Sequence, residues 1–103
     1  MRLEELEESY LLELHHDDAS KFIEFVFFTP QKVKVKVSAS NINLTPIVVE
    51  YIGLNLLSHF TTYGNIHCLG EIESISTSSS GFILEGGIGC IKITAGNVSI
   101  EAI

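Results

Sequence analysis

The sequence is poor in the residues that mark several large classes of protein. It has no tryptophan, one methionine and two cysteines, and its six Lys and Arg face 13 Asp and Glu, for a net charge of −7. Two cysteines cannot build the disulfide framework of a small secreted scaffold. Nucleic acid and anionic membranes attract basic surfaces. We therefore expect neither of them to be a main partner.

A leader peptide and a long apolar run are also missing. Residues 1–5 (MRLEE) hold no basic segment followed by an apolar stretch, so they do not predict a signal peptide. The uncharged stretch 51–70 is interrupted by Asn, Ser, Thr and His residues, which argues against a membrane span. The sequence predicts a cytoplasmic protein, in which Cys68 and Cys90 are reduced thiols.

What the chain does contain is enough apolar material for a folded core. Hydrophobic residues make up 46% of its 103 residues, charged residues 18%, and the mean hydropathy is +0.33. These values exclude intrinsic disorder. The length is that of one domain, and no linker or internal repeat divides it. We predict a single domain over residues 1–103.

The first half of the chain reads as β-strands. Residues 10–15 alternate between two faces, the turn former Asp-Asp-Ala-Ser follows at 17–20, and residues 21–28 are mostly aromatic or β-branched. This pattern predicts a β-hairpin. In residues 32–37 three lysines alternate with three valines, which predicts a strand with its valines in the core and its lysines in solvent.

The second half adds further short strands. Residues 66–76 alternate, and residues 82–103 read as three strands joined by glycine-containing turns. For 47–53 a strand is favoured over a helix, and a short helix is possible over residues 1–9. The predicted fold is all-β: an antiparallel sandwich, rolled sheet or barrel of about seven or eight strands.

No segment has the residues of a recognisable catalytic or cofactor site. His15–Asp18 groups potential metal ligands, but neighbours on a strand point to opposite faces. The serines of Ser78–Ser80 lack the G-x-S-x-G elbow. The neighbours His67 and Cys68 cannot form a catalytic dyad, because adjacent residues of a strand point to opposite faces. Gly86–Gly89 lacks the Lys of a phosphate loop and reads as a hairpin turn. We predict no enzymatic activity, no cofactor and no metal.

Two features point to binding of another protein. The strand Phe22–Phe28 is apolar on both faces, which favours self-association as a homodimer. Residues 1–18 carry seven acids and one base, a net charge of −6, which favours a basic partner. In the other interpretation of this segment, Leu3 and Leu6 anchor a helix and its glutamates are only solvated. The predicted partner-binding residues are Glu4, Glu5, Glu7, Glu8, Asp17 and Asp18.

The order of segments resembles a family. An early hairpin with an acidic turn at 16–18, the run VEYIGL at 49–54, and the ending FILEGG, GCIKI and VSIE between 82 and 101 are similar to small β-rich bacterial immunity proteins of polymorphic toxin systems. The resemblance implies non-catalytic binding of a toxin. It supplies no individual functional residue.

The sequence therefore predicts a non-enzymatic protein-interaction domain, with a toxin-neutralising immunity protein as its most specific form. The alternative is a small-ligand-binding β-barrel whose cavity is lined by Phe25, Phe27 and Tyr51. An accessory subunit of an enzyme is a third possibility. A cavity at those aromatic residues would favour the ligand, and an acidic patch would favour the partner.

Overall fold

A computed structural model describes most of the chain. The residues described are 2–17, 21–41, 47–52, 61–63 and 66–103. They form an all-β antiparallel structure, in which the helical content of the described part is one 3-10 turn, Leu3–Leu6. The predicted fold class is confirmed.

Ten short strands make up this structure. Eight belong to one antiparallel sheet, and β5 and β6 form a separate pair. The strands are β1 Tyr10–His16, β2 Phe22–Phe28, β3 Lys34–Ser40, β4 Val48–Ile52, β5 Thr61–Tyr63, β6 Ile66–Cys68, β7 Gly70–Ser78, β8 Gly81–Gly86, β9 Gly89–Thr94 and β10 Asn97–Ala102.

The eight-stranded sheet folds over on itself between β1 and β7. Its strand order is β10-β3-β2-β1-β7-β8-β9-β4, and β1 pairs with only the first two residues of β7. Phe25 of β2 contacts Phe82 of β8 edge to face, with ring centroids 6.0 Å apart. The two halves thus share one core. Within the described chain the end strands β10 and β4 do not pair with each other, so this is a rolled sheet and not a closed barrel.

The core is aliphatic with a small aromatic centre. Phe25 and Phe27 are fully buried and stack with centroids 6.1 Å apart. Around them lie side chains from both halves of the sheet and from the 3-10 turn, which shows that the turn is part of the packed structure. The other fully buried large side chains are Leu6, Leu11, Ile23, Ile72, Leu84, Ile88, Ile91, Ile93, Val35 and Val37.

A β-bulge corrects the alternation predicted for β1. The sequence pattern placed Leu12 and Leu14 on one face and Leu11 on the other. In the structure Leu11 pairs with Phe27 and Glu13 with Val26, so Leu12 is the extra residue. The bulge shifts the phase by one residue, which puts both Leu11 and Leu14 against the core.

A second bulge has the same effect in β7. Glu73 is the extra residue between the pairs formed by Ile72 and Ser74, and Ile72 and Ile75 are both buried although they are three residues apart. Gly86 faces this bulge, where an added Cβ would lie 2.1 Å from the carbonyl oxygen of Glu71. The glycine that the sequence assigns to a turn and bend is therefore required by the close approach of two backbones.

The remaining boundaries differ from the predictions in specific places. The strand predicted over 32–37 begins at Lys34, because Lys32 has φ 65° and closes a turn on Thr29; Val33, predicted in the core, is 40% exposed. The strand predicted over 66–76 is divided into β6 and β7. The hairpin β1–β2 and the three C-terminal strands are confirmed, and the strand favoured over 47–53 is found as Val48–Ile52, with Gly53 outside the described residues.

Candidate functional site

The acidic N-terminal segment lies along an edge of β7 that β1 leaves open. After Gly70 and Glu71, β7 has no further partner in β1. Ile72 donates its backbone N–H to the Ser9 carbonyl at 2.8 Å and accepts one from Glu8 at 2.8 Å. Leu3 and Leu6 are buried beside it. The segment is thus held in place by backbone bonds and by apolar anchors. Leu3 and Leu6 are buried as the anchoring interpretation expects, but they belong to a 3-10 turn and not to a longer helix.

Further along the same edge of β7, the side chain of Glu7 takes over as the hydrogen-bond partner. Its Oε2 accepts the backbone N–H of Ile75 at 2.8 Å in a partly buried position. An uncovered N–H at this point would need another acceptor, because a buried unpaired amide is costly. Glu7 therefore has a structural role and is only partly available to a partner.

Glu4 is also engaged within the chain. Its Oε1 accepts a hydrogen bond from the Thr77 hydroxyl at 2.6 Å, and its Oε2 lies 3.5 Å from Nε of Arg2. The Thr77 hydrogen bond, followed by a backbone hydrogen bond, lowers the pKa of the Glu4 carboxyl below its usual value. Hydrogen bonds to the charged form favour ionisation. Glu5 accepts the backbone N–H of Arg2 at 2.6 Å but is exposed.

Glu8 is the acid of this segment that lies next to strand β7, which carries a further exposed glutamate and pairs with another on β8. Its backbone is bonded to Ile72, one residue before the exposed bulge residue Glu73. In the next register position Ser74 faces the exposed Glu85 of β8. No described cation lies within 4 Å of these three carboxylates. We call Glu8, Glu73 and Glu85 the acidic surface.

Sequence analysis missed Glu73 and Glu85 as members of this surface. They are more than 60 residues from Glu8 along the chain, and each sits in an ordinary strand pattern. Only the pairing of β7 with the N-terminal segment and with β8 brings them together. A bulge signal in the sequence, such as the Gly-Gly pair after Glu85, could have indicated an unusual exposure at Glu73.

The structure does not bring Asp17 to the acidic surface. Asp17 closes the β1–β2 hairpin: its backbone N–H donates to Phe22 at 3.1 Å and its Oδ2 accepts from Lys21 at 3.1 Å. Seven residues of β1 separate it from Ser9, a span of roughly 20 Å. Asp18 lies outside the described residues. Among the described acids, Asp17 therefore lies at the opposite end of β1 from the four glutamates of the N-terminal segment.

The adjacent residues His15 and His16 contact different side chains. His15 Nε2 lies 3.0 Å from Glu13 Oε1, and His16 Nδ1 lies 3.1 Å from the Tyr51 hydroxyl. Burial raises the pKa of that Tyr51 hydroxyl. In the described part of the chain, no group of three or more His, Cys, Asp or Glu is placed to hold a metal ion. His59 lies outside the described residues.

Two of the three aromatic residues of the alternative ligand site lie in the core and the third lies on the surface. Phe25 and Phe27 have no exposed surface, while Tyr51 is 41% exposed on β4. Cys90 is a free, half-buried thiol. The side chain of Cys68 lies outside the described part of the structure.

The serine-rich loop is a hairpin turn. Ser78 Oγ and Ser80 Oγ lie 3.2 Å apart, and Ser78 Oγ accepts the Ser80 backbone N–H at 3.3 Å. Gly81 follows with φ 154°, where an added Cβ would lie 1.9 Å from the Ile93 carbonyl oxygen. The hydroxyls are used to form the turn, as the sequence analysis predicted for this segment.

Comparisons with known proteins add no identification. The chain matches no family model, no curated protein and no solved structure. In the described residues, none of the helical structure is long and apolar enough to cross a membrane.

Proposed function

We propose that this chain is a non-enzymatic protein-interaction domain that binds a basic protein partner through the acidic surface Glu8, Glu73 and Glu85. Its most specific form is an immunity protein that neutralises a toxin. The resemblance of segment order supports that form. A cytoplasmic location, in which Cys90 stays a free thiol, belongs to the same proposal.

The observation that carries the proposal is the convergence of unpaired carboxylates. Glu8, Glu73 and Glu85 come from three adjoining segments and are exposed: the Glu8 backbone bonds to Ile72, Glu73 is the next residue of β7, and Glu85 pairs with the Ser74 that follows it. No cation of the described chain lies within 4 Å of their carboxylates. Like charges placed together cost stability unless a partner compensates them. Such a surface raises the association rate of a basic protein through long-range attraction, an effect that salt weakens.

The immunity form is tested with the product of the gene adjacent to the one that encodes this chain. That product is expressed in a bacterial host alone and together with this chain. We expect growth arrest in the first case and growth in the second. Arrest in both cases, or in neither, would contradict neutralisation of that product.

The role of the acidic surface is then measured on the purified pair. Changing Glu8, Glu73 and Glu85 to Gln should slow association by about tenfold at low salt, and by less at high salt. The matched control changes Glu13, Glu24 and Glu50 to Gln, which alters the net charge equally at other positions. Equal slowing by both triple variants would show a net-charge effect and contradict a localised surface.

A further inference from the structure

The edge strand β10 presents a row of backbone groups that no other strand of the described residues pairs with. Ile103 donates its N–H to the Lys34 carbonyl at 3.0 Å, which fixes the phase of the antiparallel β10–β3 ladder. Hydrogen-bonded positions alternate along such a ladder. Val98, Ile100 and Ala102 therefore direct their N–H and C=O groups away from β3. In the described chain, β3 is the only strand paired with β10.

This edge lacks the features that usually protect a sheet edge. Residues 97–102 contain no proline, no lysine and no bulge, and their one charge, Glu101, is paired with Lys36 of β3 at 3.1 Å. Open edges without such devices pair with other strands. Next to the edge is a groove of mixed character, with the apolar side chains of Leu3, Phe82, Ala95, Val98 and Ile100 and the hydroxyl side chains of Thr77, Ser78 and Ser79.

We propose that β10 pairs antiparallel with β10 of a second copy of this chain, about a two-fold axis at Ile100. This register sets Ile100 against Ile100 of the partner and Val98 against Ala102, all of them positions with free backbone groups. On the other face Ser99 lies opposite Glu101, so no like charges meet. The two grooves then become continuous, and the inward side chains of each copy cover the groove of the other.

The other end strand, β4, does not fit a copy of itself. Its sequence is VVEYI, and a two-fold axis at Glu50 would oppose two carboxylates. Axes at Val49 or Tyr51 would set Glu50 against Val48 or Ile52. Like charges directly opposite are destabilising, and a charge against an apolar side chain gains nothing. Self-complementarity therefore selects β10, although Val48 and Ile52 are more exposed than Val98.

The inference goes beyond the proposed partner binding and does not depend on it, because the acidic surface shares no residue with β10. It is tested by sedimentation of the full chain over a concentration series. We expect a monomer–dimer equilibrium. Val98→Lys should raise the dissociation constant at least tenfold, and the matched variant Val48→Lys, on the more exposed edge residue of β4, should leave it unchanged.

A second variant guards against loss of folding. If Val98→Lys lowers the melting temperature of the chain, Ala102→Pro is used instead. Proline at this exposed residue removes one outward N–H and breaks no hydrogen bond to β3. The same tenfold weakening is expected. A chain that is monomeric at every concentration, or a dimer that neither variant weakens, overturns the proposal.

Cross-linking tests the register itself. In a chain with Cys68 and Cys90 changed to Ser, Ile100→Cys places two thiols on the proposed axis. Opposed residues of a hydrogen-bonded antiparallel pair have Cα atoms about 5.5 Å apart, within the range of a disulfide. We expect a covalent dimer on oxidation for Ile100→Cys and none for Val48→Cys. The reverse outcome, or no cross-link at Ile100, overturns the two-fold arrangement.

Discussion

Single carboxylates of the N-terminal segment stabilise the fold by occupying the edge of β7. Glu7 accepts the Ile75 N–H on the edge of β7 that faces away from β8, and Glu4 binds the Thr77 hydroxyl. Neither contact can be read from the sequence, because both partners lie about 70 positions away along the chain. Acids that look alike in the sequence therefore divide into structural and exposed residues.

The first prediction concerns Glu7. Glu7→Ala leaves the Ile75 N–H without its acceptor and should lower the free energy of unfolding by about 1–3 kcal/mol. Glu7→Gln, which keeps an acceptor oxygen, should cost less. Glu50→Ala is the control and should cost under about 0.5 kcal/mol, since Glu50 is exposed. Urea denaturation measures all three, and equal values for the two alanine variants would contradict the structural role.

The second prediction concerns the pH dependence that Glu4 confers. The Thr77 hydrogen bond lowers the pKa of its carboxyl in the folded chain, so the contribution of Glu4 to stability is present above the ordinary carboxyl pKa and is lost as the pH falls through the folded pKa. Thr77→Val removes the largest cause of the shift and should raise the pKa of Glu4. The folded chain should then lose less stability on acidification through the protonation of Glu4.

The titration is followed by NMR of the Glu4 carboxyl carbon. Ser76→Ala is the control, because it removes a hydroxyl from the same exposed part of β7 without touching Glu4. A Glu4 pKa that is the same in Thr77→Val and in the unmodified chain would show that the Thr77 hydroxyl is not its cause.

Strand β3 shows how far periodicity alone defines an element. The alternation of lysine and valine correctly predicts Val35 and Val37 in the core. It also extends the pattern to Val33, where the backbone of Thr29–Val33 forms a turn and the side chain is exposed. A local pattern gives the faces of a strand, but the turn that precedes it decides where the strand begins.

The third prediction separates these valines. Val35→Asp places a charge in the core and should destabilise the fold by about 3 kcal/mol or more. Val33→Asp should cost under about 1 kcal/mol, and Lys34→Glu under about 0.5 kcal/mol, as at other exposed positions. Thermal or urea unfolding gives the values. Similar losses for Val33→Asp and Val35→Asp would mean that the strand begins earlier than Lys34.

The fourth prediction concerns the molecule as a whole, in which the two halves of the rolled sheet should unfold together. Phe25 and Phe82 meet across the core, so Phe82→Ala should lower stability by about 3–5 kcal/mol. Hydrogen exchange of amides in β2 and in β8 should report the same free energy, and both values should fall equally in the variant.

The matched control is Ile83→Ala, on the adjacent, half-buried position of β8. It should lower stability much less, because less apolar surface is lost. Exchange in β2 that keeps its original protection while β8 loses it would show that the halves unfold separately.

The sequence by itself determined the all-β class, the β1–β2 hairpin, the C-terminal strands and the faces of β3. These features depend on a two-residue period and on turn chemistry, which act between near neighbours. The possible helix over residues 1–9 is reduced to the turn Leu3–Leu6, because Glu8 turns to φ 70° and bonds to β7 instead.

The tertiary structure decided which residues of the acidic segment are free and where the strands change phase. The bulge residues Leu12 and Glu73 lie on either side of the short stretch in which β1 pairs with β7. Past Glu71, β7 has the edge that Glu7 covers, and its contacts with the N-terminal segment and with β8 place Glu8, Glu73 and Glu85 on adjoining segments. Pairing between strands so far apart along the chain leaves no local signal, so only the folded chain shows it.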